Sequence, residues 1–103
     1  MAETLIYSAE AGSPIYASAG GVIQYSGFHP QYGNMVEVDH GNGLVTRYAH
    51  AQRRLVKMGD MVMKGNKIAE VGSTGRSTGA HLHFEVLHKG APQNPSRFLR
   101  PPS

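Results

Sequence analysis

Short apolar runs separated by glycine-rich turns dominate the hydrophobic pattern of this chain. No window repeats its apolar residues with the 3.6-residue period of an amphipathic helix, whereas short runs bounded by glycine and proline are typical of strands. The pattern predicts strands at residues 14–16, 21–25, 35–39, 44–49, 55–58, 60–63, 67–71 and 81–87. The chain is therefore predicted to form an all-β domain.

Two local signals refine this architecture. The pair Asn42-Gly43 lies between two predicted strands, and an Asn-Gly pair favours the tight turn of a β-hairpin. Residues 12–15 and 59–62 each place a glycine three residues before a β-branched residue, and each precedes another predicted strand. This echo is compatible with two similar β-hammerhead units and also with chance.

Composition and charge exclude several classes of protein. The 103 residues are enough for one domain, and the absence of cysteine excludes disulfide scaffolds, thiol nucleophiles and cysteine-type zinc sites. The formal net charge is +3, and the basic residues between positions 53 and 67 have no interleaved aromatics. A solvated surface explains that segment better than nucleic-acid binding does. The sequence shows no signal peptide and no membrane span.

Residues 81–87 contain the strongest candidate chemistry. Because side chains alternate along a strand, His81, His83 and Glu85 are predicted to share one face, while the apolar residues between them share the other. Two imidazoles about 7 Å apart suit a site in which one ligates a metal ion and the other handles protons. A chance histidine pair on a solvated face is the alternative. Glu85 is interpreted either as a partner that orients an imidazole or as a surface acid.

Further motifs precede this strand in order along the chain. They are Gly-Ser-Pro-Ile-Tyr-Ala at 12–17, Tyr-Gly-Asn at 32–34, Asp-His-Gly-Asn-Gly at 39–43, Thr-Arg-Tyr-Ala-His at 46–50, Val-Lys-Met-Gly-Asp at 56–60 and Gly-Ser-Thr-Gly at 72–75, and the series ends in Ser-Thr-Gly-Ala-His-Leu-His-Phe-Glu at 77–85. Together they resemble the LytM/lysostaphin-type (M23) zinc metallopeptidases, which cut peptides of bacterial peptidoglycan. The resemblance covers roughly residues 12–99.

The resemblance implies a fold and a set of roles. The implied fold is a β-sheet groove on a duplicated hybrid-motif, barrel-sandwich-like architecture. The implied cofactor is zinc, with His83 as a metal ligand and with His81 and His50 as catalytic histidines outside the metal shell. These two would act as general base and as stabiliser of the oxyanion. Without the resemblance, a rim histidine bonded to backbone is the simpler interpretation of His50.

The resemblance breaks at the N-terminus. The other two zinc ligands of the family come from a His-x-Gly-x-Asp-like motif, whose histidine and aspartate positions fall on Ala2 and Ile6 here. Residues 1–28 contain no histidine and no aspartate. His29 is interpreted as a loop residue rather than as a substitute ligand. Because a catalytic zinc usually takes three protein ligands, the site is expected to be incomplete and the chain inactive as a peptidase.

This break has two interpretations. In the first, residues 1–11 are a truncated or altered segment, residues 12–99 are an M23-like domain, residues 100–103 are a tail, and the parent protein is a peptidoglycan hydrolase. In the second, the chain is a degenerate LytM-like domain that binds cell wall or activates an amidase without catalysis. The intact downstream histidines favour the first interpretation, since random decay would not be expected to spare them.

Partners and location follow from the resemblance. Peptidoglycan peptides are the expected partners, an amidase is expected only for the non-catalytic interpretation, and nucleic acid is not expected. The expected location is the bacterial cell envelope, periplasmic or extracellular.

Two other classes of protein fit the sequence less well. A biotinyl or lipoyl carrier shares the pattern at 56–65 but needs a lysine at a hairpin tip, and a phosphohistidine-transfer domain would use His50 and His81 without metal.

Overall fold

Nine strands and no helix make up the part of the chain that the structure, a computed structural model, describes: residues 4–8, 11–72 and 81–93, with side chains for 11–72 and 83–91. The strands are β1 Thr4–Ser8, β2 Pro14–Tyr16, β3 Gly21–His29, β4 Gly33–Gly41, β5 Leu44–Arg54, β6 Met61–Val62, β7 Lys67–Val71, β8 His81–His88 and β9 Ala91–Gln93. No helix in these ranges is long and apolar enough to cross a bilayer. The all-β prediction is confirmed.

The strands form one curled antiparallel sheet. Its main path runs β1-β8-β5-β4-β3-β6, while β7 pairs with β2 and β5, and β9 pairs with β8. The two echo segments of the sequence contain β2 and β6, and each of these short strands pairs with a strand that follows the other segment: β2 with β7, and β6 with β3. This reciprocal pairing agrees with the two similar units that the sequence echo suggested.

The core lies on one face of the curled sheet. Tyr48 and Phe84 are its largest fully buried side chains, and their rings pack at 5.3 Å between centroids. The hydroxyl of Tyr48 is not left unpaired, because it accepts a hydrogen bond from the backbone N–H of Ser18 at 3.0 Å and lies 2.9 Å from the hydroxyl of Thr46. Alternation in β5 and β8 therefore places the residues next to Tyr48 and Phe84 on the opposite face, where the site lies.

The long strand β5 connects two parts of the sheet. Its residues 44–49 pair with β8, and its residues 51–54 pair with β7. The transition falls at His50, whose backbone has a positive φ of 60°. The sequence pattern predicted the end of a strand at residue 49, and the structure instead continues the strand through this bend.

Most predicted strands are present, with two kinds of difference. The Asn-Gly turn is confirmed, because Asn42 and Gly43 have φ values of 53° and 78° between β4 and β5. The predicted strand at 55–58 is wrong: the chain turns here, and the Asp60 carboxylate accepts the backbone N–H of Lys57 at 2.9 Å. Strands β1 and β9 were not predicted. Residues 73–80, which connect β7 to β8, and residues 94–103, which include the predicted tail at 100–103, lie outside the described residues.

Candidate active site

Three rings converge on the sheet face opposite the core. The centroid of the His50 ring lies 5.1 Å from that of His83, and the Tyr32 ring lies 6.4 Å from His50 and 5.7 Å from His83 in an edge-on orientation. His50 is buried, with 4% of its surface exposed, and the side chain of His83 is 17% exposed. Residues 18 to 51 positions apart in sequence therefore form a compact group of hydrogen-bonding rings.

A β-bulge in β5 brings His50 into this group. Val36 and Asn34 of β4 pair with Tyr48 and Ala51 of β5, so two residue steps on β4 oppose three on β5. Without the extra residue, alternation would direct His50 to the same face as Tyr48, which is the core. The bulge turns the His50 side chain to the other face, and its backbone N–H donates to the Tyr32 carbonyl at 2.7 Å.

The backbone of His50 is in the left-handed region, which costs a side chain with a Cβ atom about 1–2 kcal/mol. We expect His50→Gly to be about 1 kcal/mol more stable than His50→Ala, because both variants lose the ring and only glycine relieves this cost. Urea denaturation of the two variants measures the difference. Equal stability, or a more stable alanine variant, would show that the bulge is not retained without the imidazole.

A row of polar side chains crosses the same face next to the rings. Arg47 donates from Nε to Glu37 Oε2 and from a terminal guanidinium nitrogen to Glu85 Oε1, each at 2.7 Å. Gln24 donates to the other Glu37 oxygen at 2.8 Å. Glu85 Oε2 lies 3.3 Å from Nε2 of His83. These four residues, Gln24, Glu37, Arg47 and Glu85, lie on four neighbouring strands, and we call them the polar row.

Arg47 is the centre of this row. Its guanidinium carbon lies 5.2 Å from the centroid of the Tyr32 ring, a cation–π arrangement. Burial lowers the pKa of Arg47, but the hydrogen bonds and charges of Glu37 and Glu85 outweigh burial and raise the pKa above its usual value. Arg47 therefore stays charged, and it contacts both a carboxylate that lies beside His83 and an aromatic ring that lies next to His50 and His83.

Of the remaining polar residues near the site, Glu85 contacts His83, whereas His29 and His40 have structural positions. Of the two interpretations of Glu85, the geometry favours the imidazole partner, since its side chain is 16% exposed and ion-paired. His29 ends β3, and its Nδ1 accepts the backbone N–H groups of Gln31 and Tyr32 at 3.1 and 3.3 Å. It stabilises the turn that carries Tyr32. The ring of His40 lies on the core side, with its nitrogens 2.6 Å from the Gly20 carbonyl and 2.7 Å from the Thr46 hydroxyl.

The residues present do not fit a three-ligand zinc site. In the pairing of β1 with β8, Ile6 lies opposite His83, and isoleucine has no atom that binds a metal. Ala2 lies outside the described residues and has no such atom either. The backbone of His81 pairs with Ser8, and its side chain is outside the described part. Among the residues that the structure describes, no three His, Cys, Asp or Glu side chains come together around a metal position.

Sequence reasoning missed Arg47, Glu37 and Gln24. Alternation does place Arg47 and Glu37 on the polar faces of their strands, so the pattern contained a signal. The pairing of Glu37 with Arg47, and of Arg47 with Glu85, depends on the register between β4, β5 and β8. That register joins residues up to 38 positions apart, which local patterns do not reveal.

The profile of Peptidase family M23 matches residues 2–95, which is most of the chain. The chain belongs to Peptidase family M23.

Sequence and structure comparisons agree on this family. The peptidoglycan DD-endopeptidase ShyC of Vibrio cholerae is 46% identical over 89 residues, which are 86% of this chain and 21% of ShyC. The catalytic domain of the antimicrobial peptidase lysostaphin from Staphylococcus simulans has a TM-score of 0.88 and 31% identity, with 95% of this chain and 78% of that chain covered. A zinc-containing peptidase from Vibrio cholerae has a TM-score of 0.83 and 41% identity, covering 85% of this chain and 27% of that chain. The chain spans about a fifth of the length of ShyC.

Proposed function

We propose that this chain is the peptidase-fold domain of a peptidoglycan endopeptidase of the bacterial cell envelope, and that it binds peptidoglycan peptides over His50, His83 and Tyr32. The observation that carries the proposal is the convergence of these three rings on the open face of an M23 sheet. His50 and His81 are proposed as the catalytic histidines. Their imidazoles would take a proton from the attacking water and stabilise the oxyanion.

Zinc is the metal that we propose for a complete site of this kind, with His83 as one ligand. A single imidazole binds zinc weakly, because affinity comes from several ligands held in the right geometry. Positions 2 and 6 supply no ligand in this sequence. The sequence as printed is therefore proposed to bind the peptide without hydrolysing it.

Calorimetric zinc titration of metal-stripped, tag-free protein tests this proposal, with His83→Ala measured alongside. We expect no stoichiometric binding tighter than about 1 μM, because three ligands are the usual requirement. Tight binding by the parent chain that is lost in His83→Ala would overturn the proposed inactivity, since other residues would then complete the site.

Binding to purified peptidoglycan is measured in parallel by co-sedimentation. We expect the parent chain to sediment with it and Tyr32→Ala to sediment less, because the Tyr32 ring lies next to both histidines on the proposed binding face. The similar proteins named above are peptidases, so hydrolysis is the ancestral activity that we propose. Stimulation of a purified amidase by the unaltered chain would instead support a non-catalytic role.

A further inference from the structure

A second row of side chains crosses the open face of the sheet beyond the polar row. The register pairs Leu87 with Val45, Val45 with Asp39, Asp39 with Val22, and Val22 with Met61. We call these five residues the distal row. Four of them lie two positions from a member of the polar row on the same strand, and residues two apart on a strand share a face. The distal row is therefore continuous with the site.

The distal row combines exposed apolar side chains with one carboxylate. Met61 is 84% exposed and Val22 is 42% exposed, although each lies beside a buried neighbour on its strand. Asp39 is exposed between Val45 and Val22, and its Oδ1 accepts the backbone N–H of Gly41 at 2.9 Å. Within the described residues no ion pair involves Asp39. An exposed carboxylate flanked by apolar groups suits an ammonium group that is carried by an otherwise apolar chain.

The distance from the histidines matches a short peptide. Two rows along a strand correspond to about 14 Å, and two strands across correspond to about 10 Å, so Asp39 is about 17 Å from His83. An extended peptide of about five residues covers this distance. Between the two points it would cross the polar row, where the exposed Gln24 amide and the partly exposed Arg47 guanidinium can pair with peptide C=O groups.

We propose that the distal row is a subsite for the far end of the bound peptide, where Asp39 takes an amino group and Val22 and Met61 contact small apolar side chains. This inference rests on the proposed function, because it extends the same groove. The occupant is chosen on two grounds: continuity with the rings of the site, and the charge of Asp39. Methionine suits such contacts because its flexible thioether adapts to irregular apolar surfaces.

The test uses a synthetic peptidoglycan stem peptide with a free side-chain amine and its N-acetylated form, titrated into the ¹⁵N-labelled chain by NMR. Asp39→Asn keeps the acceptor for Gly41 and removes the charge. We expect it to weaken binding of the free-amine peptide about threefold. Acetylation of the peptide amine should weaken binding to the parent chain by the same factor. It should not weaken binding to Asp39→Asn any further. The difference in affinity between the free-amine and acetylated peptides should also decrease as salt is added, because salt screens the charge of Asp39.

Met61→Thr tests the apolar part and should weaken binding of both peptides about fivefold. Met58→Thr is the matched control, because Met58 is 64% exposed but lies on the turn outside the distal row. It should bind like the parent chain. Resonances of Val22 and Asp39 should shift in the same titration as those of His50.

Three results would overturn the inference, and they are distinguishable. If Tyr32→Ala weakens binding while Asp39→Asn and Met61→Thr do not, the peptide stays near the rings, so the subsite fails and the proposed function stands. If the folded chain binds neither peptide, the proposed function fails and the subsite fails with it. If the parent chain dimerises and Met61→Thr abolishes the dimer without changing peptide affinity, the distal row is a self-association surface.

Discussion

Ala2→His combined with Ile6→Asp is expected to raise the zinc affinity of the chain by about a thousandfold or more, because it adds two ligands to His83. Position 6 lies directly opposite His83 in the pairing of β1 with β8. Opposed residues on antiparallel strands share a face with Cβ atoms about 5 Å apart, so a carboxylate there reaches the same ion as the imidazole. We expect this variant to hydrolyse peptidoglycan peptides that the parent chain leaves intact.

Two controls make the restoration specific. Ala2→His with Thr4→Asp introduces the same residue types, but position 4 lies opposite Glu85, one row away from His83. It should gain little zinc affinity. Adding His83→Ala to the restored variant should remove the gain. Calorimetry measures the affinity, and chromatography of digested peptides measures the hydrolysis. A folded restored variant that binds zinc no better than its parent would show that positions 2 and 6 are not the ligand positions.

Arg47→Met is expected to lower the free energy of unfolding by about 3–5 kcal/mol, because it leaves two largely buried carboxylates facing each other without their shared cation. The side chains of Glu37 and Glu85 are only 12% and 16% exposed, and both are 2.7 Å from Arg47. Urea denaturation measures the change. Lys67→Met is the control: it breaks an exposed ion pair with Glu70, and the midpoint should change little.

The pH dependence has a definite sign. The raised pKa of Arg47 means that its stabilisation is fully present below the usual arginine pKa and is lost only as the pH rises through the higher value in the folded state. At neutral pH, well below the arginine pKa, the parent chain therefore keeps this contribution in full. In Arg47→Met the deficit should shrink at acid pH, where carboxylates take up protons. Arg47→Lys keeps the positive charge but loses the planar guanidinium that contacts Glu37 and Glu85 through two nitrogens, so an intermediate stability is expected. A deficit that grows with acid would contradict this account.

Local sequence signals predicted the fold class and much of the strand order. The Asn42-Gly43 turn was predictable because both positions need a positive φ, which these residues adopt easily. Strand β1 was not, since residues 4–8 show no clear alternation and form a strand by pairing with β8. The segment at 55–58 looked like a strand because it is apolar, but the Asp60 carboxylate closes a turn there.

The site was predictable only in part. Resemblance selected His50 and His83, and the structure brings their rings within 5.1 Å of each other. The means of doing so is a bulge with a positive φ at His50. Residue type did not reveal it, because a positive φ is uncommon outside glycine, and although histidine is enriched in this conformation most histidines do not adopt it. Arg47 was overlooked for a different reason: its importance depends on partners from two other strands, which only the register reveals.

The outermost position of β1 has an evolutionary consequence. Among the described strands β1 pairs with β8 alone, and the register places its residue 6 opposite His83. A border strand with a single partner can change its contribution to the site while the pairing of the other strands stays the same. We therefore expect that a lineage can lose or regain hydrolysis through substitutions on this one strand while the rest of the sheet keeps its pairing.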